Sequence, residues 1–160
     1  MAYAKGFEQD IFISYAQVDN TPMVLNGRET RWVTHLKEQL QMRVDQRLGR
    51  IGRTKIWMDL DDLSGELKVT PTIDQAISNT AALVAVFSNG YLASEWCRTE
   101  IRDFIKSAGD TQRLFLVRLA DIPLGDRPEE IQDIIGFDFY DEDHKVELDP
   151  FGSEYAEQLF

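Results

Sequence analysis

The chain of 160 residues carries 17 Lys and Arg residues against 28 Asp and Glu residues, a formal net charge of −11, and 43% of it is apolar. This composition describes one acidic globular domain, large enough to bury a core without a disulfide or a structural metal. One cysteine and two histidines, far apart in sequence, argue against a zinc cluster. The negative charge argues against nucleic acid as a partner, because phosphate binding requires clustered Lys and Arg.

The sequence contains no apolar run of the ~20 residues that a membrane-spanning helix needs, and the first residues lack the apolar segment of a signal peptide. We therefore expect a cytoplasmic protein with no membrane partner. A reducing compartment also suits a chain whose lone cysteine cannot pair within it.

Five short apolar runs predict buried parallel strands, because they are unbroken rather than alternating. They cover residues 10–15, 55–59, 82–87, 113–119 and 136–140. Between the first two runs, apolar residues step by three and four from Val33 to Leu48, and Gly49 follows where a helix favours a left-handed residue. This spacing predicts a helix of four to five turns.

Two further helices are predicted between the later strands. Thr70 and Pro71 suit an N-cap and a first helical position, ahead of an inward face of Ile73, Ala76 and Ile77. Ser94 is expected to cap a helix that ends before Gly109, and its inner stripe comprises Cys97, Ile101, Phe104, Ile105 and Ala108. Strand and helix alternate throughout, which predicts an α/β sheet with helices on both faces.

Phosphate-loop, dinucleotide-turn, metalloprotease and hydrolase-elbow motifs are missing from the sequence. The polar residues of interest follow the third strand. Trp96 and Glu100 share a face of the predicted helix because they are four residues apart, and Glu100 falls at the edge of its buried stripe. An indole beside a carboxylate at a core boundary suits a half-buried pocket. The alternative, which composition alone favours, is an edge glutamate paired with an arginine.

Three groups of residues recur in a known order: the strand at 10–15 with Asp19, Trp57-Met-Asp59 with Leu63-Ser-Gly65, and Phe87-Ser88, Tyr91 and Ser94 with Trp96-Cys-Arg-Thr-Glu100. In order and spacing over residues 7–140 they resemble the Toll/interleukin-1 receptor (TIR) domain family. The further run Asp19-Asn20, Trp32-Val-Thr34 and Leu48-Gly49 resembles the bacterial branch of that family.

The resemblance implies a flavodoxin-like, five-stranded parallel sheet of order B-A-C-D-E, lettered in chain order, with helices on both faces. In such sheets ligands bind where the strand order reverses, beyond the carboxyl ends of the strands. There the resemblance places the helix that bears Glu100. The implied substrate-binding residues around it are Ser14, Tyr15, Asp59, Ser88 and Trp96.

Enzymatic members of the family cleave the bond between nicotinamide and ribose in NAD+, using the glutamate that matches Glu100. The resemblance thus implies an NAD+ nucleosidase that takes NAD+ as its substrate, with no cofactor and no metal. Its products would be nicotinamide and ADP-ribose or a cyclic form. The leaving group is cationic and departs neutral, so one carboxylate that stabilises the oxocarbenium-like ribose suffices.

Two other functions stay open. One is a non-catalytic adaptor that assembles with other TIR domains through the loop at 60–69, and the other is a nucleoside-transferring enzyme on the same fold. That loop carries three acidic residues but only Lys68 as a base, so pyrophosphate binding is expected to rely on backbone amides or on a neighbouring chain. We expect an enzyme of bacterial immune signalling or defence that assembly activates.

Residues 153–160 begin an amphipathic helix that stops within two turns, and so short a helix is marginal on its own. The segment is expected either to dock at the sheet edge or to continue. We favour continuation, in which residues 1–160 form a single N-terminal domain of a longer protein whose C-terminal part senses a cue or drives assembly.

Overall fold

The structure, a computed structural model, describes residues 2–25, 27–58, 71–134, 136–141 and 146–147. Strands and helices alternate along most of this part of the chain. The strands are β1 (Gln9–Ser14), β2 (Met23–Leu25), β3 (Arg28–Thr30), β4 (Ile56–Met58), β5 (Thr80–Phe87), β6 (Leu114–Arg118), β7 (Gly136–Asp138), β8 (Tyr140–Asp141) and β9 (Val146–Glu147). The α-helices are α1 (Trp32–Leu48), α2 (Pro71–Ser78), α3 (Asn89–Ala93) and α4 (Glu95–Ala108).

One parallel sheet of five strands organises the domain, in the order β4-β1-β5-β6-β7. The predicted order B-A-C-D-E and the flavodoxin-like α/β fold are therefore confirmed. The chain leaves β1 for β4 on one side and returns to β5 on the other, where Ser14 pairs with Ala85. The strand order thus reverses between β1 and β5.

Helices cover both faces of the sheet. Alternate side chains of a strand point to opposite faces, and both faces of this sheet are apolar. On β5, Leu83, Ala85 and Phe87 belong to the core cluster that also takes residues of α2, α3 and α4, whereas Val84 and Val86 belong to the cluster formed with α1. The central strands are apolar on both sides, as the unbroken runs predict.

The helix ends agree with the sequence signals. α1 ends at Gly49, which has φ 63° in the left-handed region and donates its N–H to the carbonyls of Asp45 and Gln46. α4 begins after Ser94, whose hydroxyl accepts a hydrogen bond from the N–H of Cys97. Both boundaries were predicted from these residue types, because glycine adopts positive φ without a steric cost and serine caps free N–H groups.

Two features depart from strict alternation. An antiparallel hairpin of β2 and β3 precedes α1, and its turn contains Gly27 at φ 76°. Between β6 and β7 the chain forms two short 3-10 helices, Leu124–Asp126 and Glu129–Ile131, in place of a long helix. Pro123 and Pro128 precede them, and two prolines so close together prevent a continuous helix.

Some predicted features lie outside the described residues. These are the N-cap Thr70, the side chain of Ile73, the loop at 60–69 and the segment at 153–160. In the described part of the chain, no helix is both long and apolar enough to cross a membrane. Within the same residues, no group of His, Cys, Asp and Glu side chains is arranged to hold a metal ion.

Candidate active site

The candidate site lies at the carboxyl ends of β1 and β5, where the strand order reverses. Ser14 is the last residue of β1, and Ser88 directly follows β5. The Ser88 hydroxyl accepts a hydrogen bond from the N–H of Tyr91 at 3.0 Å and so caps α3. The capped helix α3 is followed, after Ser94, by α4, which carries Glu100.

Glu100 is buried, with 4% of its surface exposed, and its two carboxyl oxygens contact groups from different elements. Oε1 accepts a hydrogen bond from Trp96 Nε1 at 2.8 Å, one turn earlier on α4. Oε2 is hydrogen-bonded to the hydroxyl of Ser14 on β1. Trp96 remains 38% exposed, so its indole forms the solvent side of this group. The structure therefore brings together Ser14, Trp96 and Glu100.

Tyr91 forms a second, deeper layer behind Ser14. Its side chain is fully buried, and its Oη lies 2.7 Å from Ser14 Oγ. The Tyr91 hydroxyl also lies 3.1 Å from the carbonyl oxygen of Cys97, to which it can donate. Burial raises the pKa of Tyr91 well above its ordinary value, and the nearby Cys97 and Glu100 act in the same direction. Tyr91 therefore keeps its phenolic proton at any working pH.

A further polar pair joins Ser88 to the segment after β1. Ser88 Oγ donates to Asp19 Oδ2 at 2.5 Å. Burial raises the pKa of Asp19, while the hydrogen bond from Ser88 opposes this shift. Asn20 holds the same segment against α1, since its side chain exchanges hydrogen bonds with Thr34 at 3.0 Å. The first strand, α1 and the α3 cap are thereby fixed relative to one another.

The other predicted substrate-binding residues, Tyr15, Ser88 and Asp59, are not among the described contacts of the Glu100 carboxyl group. Tyr15 packs against the core cluster on the α1 face, whereas its neighbour Ser14 contacts α4 on the opposite face. Ser88 is connected to the Glu100 group through Tyr91, whose backbone it caps. Asp59 lies outside the described residues. Of the predicted substrate-binding residues, Ser14 and Trp96 are thus the two whose described contacts are with Glu100.

The roles of Tyr91 and Asp19 are missing from the sequence-based site, although both residues belong to the TIR-like pattern. Tyr91 is 77 positions from Ser14, and the contact between their hydroxyls depends on how α3 packs over β1. The available signal was the spacing of Ser88 and Tyr91, which suits a serine cap followed by a helix. That spacing predicts the turn but not the partner of the phenol.

Two cavities lie away from this group. One of about 760 Å³ follows α1 and the turn after it, between Met42, Arg50, Ile51 and Met58. The other, of about 280 Å³, lies between α1 and the sheet and includes Leu40, Phe115 and Phe137. Neither is lined, in the described part of the chain, by a predicted site residue. The site assignment depends on the polar contacts of Glu100 and not on cavity size.

The parallel sheet of order β4-β1-β5-β6-β7, with the buried carboxyl group of Glu100 beside Ser14 at the end of β1, defines a flavodoxin-like α/β domain. The family model for the TIR domain matches residues 11–151, and the chain belongs to the TIR domain family. Among solved structures, it is similar to TIR domains in the activated Roq1 resistosome directly recognizing the pathogen effector XopQ, with 20% identity and a TM-score of 0.48. That match covers 74% of this chain and 61% of the other, less than two thirds of its length. No curated protein matches the sequence.

Proposed function

We propose that this TIR domain is an NAD+ nucleosidase in which Glu100 is the catalytic residue. The observation that carries the proposal is the arrangement of the Glu100 carboxyl group. It is withdrawn from solvent, yet a Trp96 N–H and a Ser14 hydroxyl fix its two oxygens from two different elements. Such fixed orientation at a ligand-binding edge suits a group that must face a developing charge.

The reaction needs few protein groups. The bond between C1′ of the ribose and the nicotinamide nitrogen breaks, and its electron pair neutralises the pyridinium ring, which leaves as nicotinamide. The ribose then carries positive charge, which the Glu100 carboxylate stabilises. Water adds to C1′ and loses a proton, which gives ADP-ribose. Attack by an adenine nitrogen of the same molecule would give the cyclic product.

Five residues stay proposed as substrate contacts in this reaction. Trp96 offers a partly exposed indole for stacking, and Ser14 and Ser88 lie at the carboxyl ends of β1 and β5. Tyr15 and Asp59 are retained from the TIR resemblance. NAD+ is the substrate, and no cofactor is required.

Assembly with other TIR domains is part of the proposal. A domain with a net charge of −11 repels its own copies and attracts no dinucleotide phosphate at long range, so a neighbouring chain or a sensing domain has to bring sites together. A C-terminal sensor in the same protein, a role in bacterial immune signalling and a cytoplasmic location remain predictions from the sequence.

Product chromatography after incubation of concentrated protein with NAD+ tests the function. We expect free nicotinamide together with ADP-ribose or its cyclic form. Glu100→Gln should lower the rate by about a thousandfold, since it removes the charge that opposes the ribosyl cation. Glu95→Gln is the matched control because it changes the same charge on the exposed first turn of α4, and it should stay within about twofold of wild type.

Two results would contradict the proposal in different ways. Wild-type protein that releases no nicotinamide even when clustered on beads would favour the adaptor function. Glu100→Gln protein that keeps most of the wild-type rate would leave the activity standing and remove Glu100 from the catalytic role.

A further inference from the structure

The α1 face of the sheet is only partly covered over β6 and β7. Residues of α1 pack in one core cluster with Val84 of β5 and Val117 of β6. In the strand register, Phe115 lies beside Val84 and Phe137 beside Val117, so both phenyl rings point to this same face. The two residues remain 42% and 38% exposed. This part of the face is therefore an apolar surface that is partly open to solvent.

The crossover that joins β6 to β7 does not cover the two rings. Its buried residues Ile122 and Ile131 belong to the core cluster on the opposite face, together with residues of α4. On the α1 face, the rings line the cavity of about 280 Å³ that separates them from Leu40 of α1. We name this cavity the α1–β7 groove.

The α1–β7 groove has a basic rim. Arg43 and Arg47, one turn apart on α1, line it beside its apolar residues. The Nε atom of Arg43 is buried and has no hydrogen-bond partner in the described part of the chain. An occupant that suits this groove therefore combines an apolar stripe with an acidic side chain at the edge of that stripe.

The C-terminal segment, residues 151–160, has both properties in its sequence. Phe151, Tyr155 and Leu159 recur every four residues, a spacing that places side chains on one face of a helix. At about 100° per residue, Glu154 falls about 100° from the centre of this stripe, and Glu157 falls about 160° from it. Glu154 thus borders the stripe, whereas Glu157 lies on the opposite side of the helix.

The course of the chain brings this segment to the groove. β9 pairs with β8, where Glu147 lies opposite Tyr140, the second residue after the end of β7. The chain therefore leaves β9 beside the carboxyl end of β7. Because β7 has three residues and is about 10 Å long, a few extended residues are enough to return the chain along it to Phe137.

We propose that the C-terminal segment docks in the α1–β7 groove as an amphipathic helix. Its apolar stripe packs on Phe115 and Phe137, and Glu154 faces the rim formed by Arg43 and Arg47. So short a helix is marginal in water, so its order depends on this packing. Docking of these residues is compatible with a chain that continues beyond them.

A second copy of the domain suits the groove less well. In a symmetric contact the same surface faces itself, so the basic rims formed by Arg43 and Arg47 would approach each other across two concave surfaces. The C-terminal segment instead offers a convex apolar stripe with a bordering carboxylate.

A spin label on the C-terminal segment tests where the segment lies in the full chain. Glu157→Cys in a Cys97→Ala background places the label on the side of the helix away from the groove. Methyl resonances of Leu40 and Val44, which line the groove, should be strongly broadened. The methyl resonances of Ile101, in the core cluster on the opposite face, should be much less affected. Weak broadening at Leu40 and Val44, or equal broadening at Ile101, would overturn the proposal.

A mixing experiment distinguishes the segment of the same chain from that of a second copy. Spin-labelled protein at natural isotope abundance is mixed with isotope-labelled protein that carries no spin label. The resonances of Leu40 and Val44 should then stay sharp. Broadening in the mixture as strong as in the single chain would assign the groove to a second copy and contradict the proposal.

Charge reversal tests the rim. Glu154→Lys and either Arg43→Glu or Arg47→Glu should each lower the melting temperature by about 2–4 °C. Combined with Glu154→Lys, at least one of the two arginine reversals should regain half or more of the summed loss. Glu157→Lys is the matched control, because it makes the same charge change on the other side of the helix and should regain nothing.

Losses that simply add in both combinations, or equal recovery with Glu157→Lys, would show that the segment does not face this rim. Neither the spin-label nor the charge-reversal experiment uses NAD+ cleavage, so their results are independent of the proposed function of Glu100.

Discussion

Trp96 Nε1 donates a hydrogen bond to Glu100 Oε1 at 2.8 Å across one turn of α4, so the indole and the carboxyl group are positioned by the same helix. The indole is partly exposed while the carboxyl group is buried. A substitution of the indole therefore alters the site more than it alters the core.

We expect Trp96→Phe to lower kcat/KM for NAD+ by about 10- to 100-fold, because a hydrogen bond to a charged group contributes roughly 1.5–3 kcal/mol. The melting temperature should change by no more than a few degrees, since the side chain is more than a third exposed. Nicotinamide release and thermal unfolding measured on the same samples check both statements. A large loss of Tm with an unchanged rate would mean that Trp96 serves the fold.

The Ser88 cap is expected to contribute more to stability than the Ser94 cap. Ser88 accepts from the N–H of Tyr91 and also donates to the partly buried Asp19, whereas Ser94 accepts from Cys97 N at 3.3 Å. Ser88→Ala should lower the free energy of unfolding by about 2 kcal/mol and Ser94→Ala by about 1 kcal/mol. Urea unfolding of the two variants provides the comparison, and equal losses would contradict it.

The sequence predicted the strands because buried parallel strands are apolar on both faces, and it predicted the ends of α1 and α4 because Gly49 and Ser94 have clear local roles. The β2–β3 hairpin was missed although Asn26-Gly27 is a strong hairpin signal. The predicted alternation of strand and helix is wrong for the last crossover, where Pro123 and Pro128 prevent a continuous helix between β6 and β7. The residue types at these positions are sufficient to predict both the hairpin and the lack of a long helix in the last crossover.

The site was predictable only in part. Trp96 and Glu100 lie on one helix, so their spacing alone predicts that they share a face. Ser14 is 86 positions from Glu100 and 77 positions from Tyr91 in the sequence. The periodicity of a helix or strand predicts contacts only between residues that are close in sequence. The family resemblance supplied Ser14, but the phenol of Tyr91 behind it follows only from the packing of α3 against β1.

A pH-dependent contribution to stability is expected from Asp45. The backbone N–H of Gly52 donates to its carboxylate at 2.8 Å and lowers its pKa, against the opposing effect of burial and with help from Thr54. A carboxyl group with a lowered pKa in the folded state stabilises above its ordinary pKa, near 3.9, and loses that effect as the pH falls through the lowered value.

Asp45→Asn should therefore be less stable than wild type at pH 7, and the difference should shrink below about pH 4. Urea unfolding at pH 7, 5 and 3 measures it. Asp126→Asn, on an exposed 3-10 turn, serves as the control for the loss of one negative charge. A difference that is the same at all three pH values would contradict the role of the Asp45 carboxylate.

Cys97 should be chemically inert in the folded domain. Its thiol is 1% exposed, and burial raises its pKa to about 12, opposed by the hydrogen bond at Ser94. Because the thiolate is the reactive form, Ellman's reagent at pH 8 should react at least about a thousandfold more slowly with native than with urea-unfolded protein. Rapid native labelling, absent in Cys97→Ser, would show that α4 opens readily.

Activity should depend on how closely copies of the domain approach one another. Each copy carries a net charge of −11, so dilute molecules at low ionic strength repel, and salt that screens this repulsion should favour association. We expect the specific rate of nicotinamide release to increase with protein concentration and with tethering on beads, and to increase further between low and moderate ionic strength. Glu100→Gln protein should assemble in the same way and remain inactive, which separates association from chemistry. A specific rate that stays constant over a hundredfold range of concentration, with tethering and salt without effect, would show that a single domain holds the complete site.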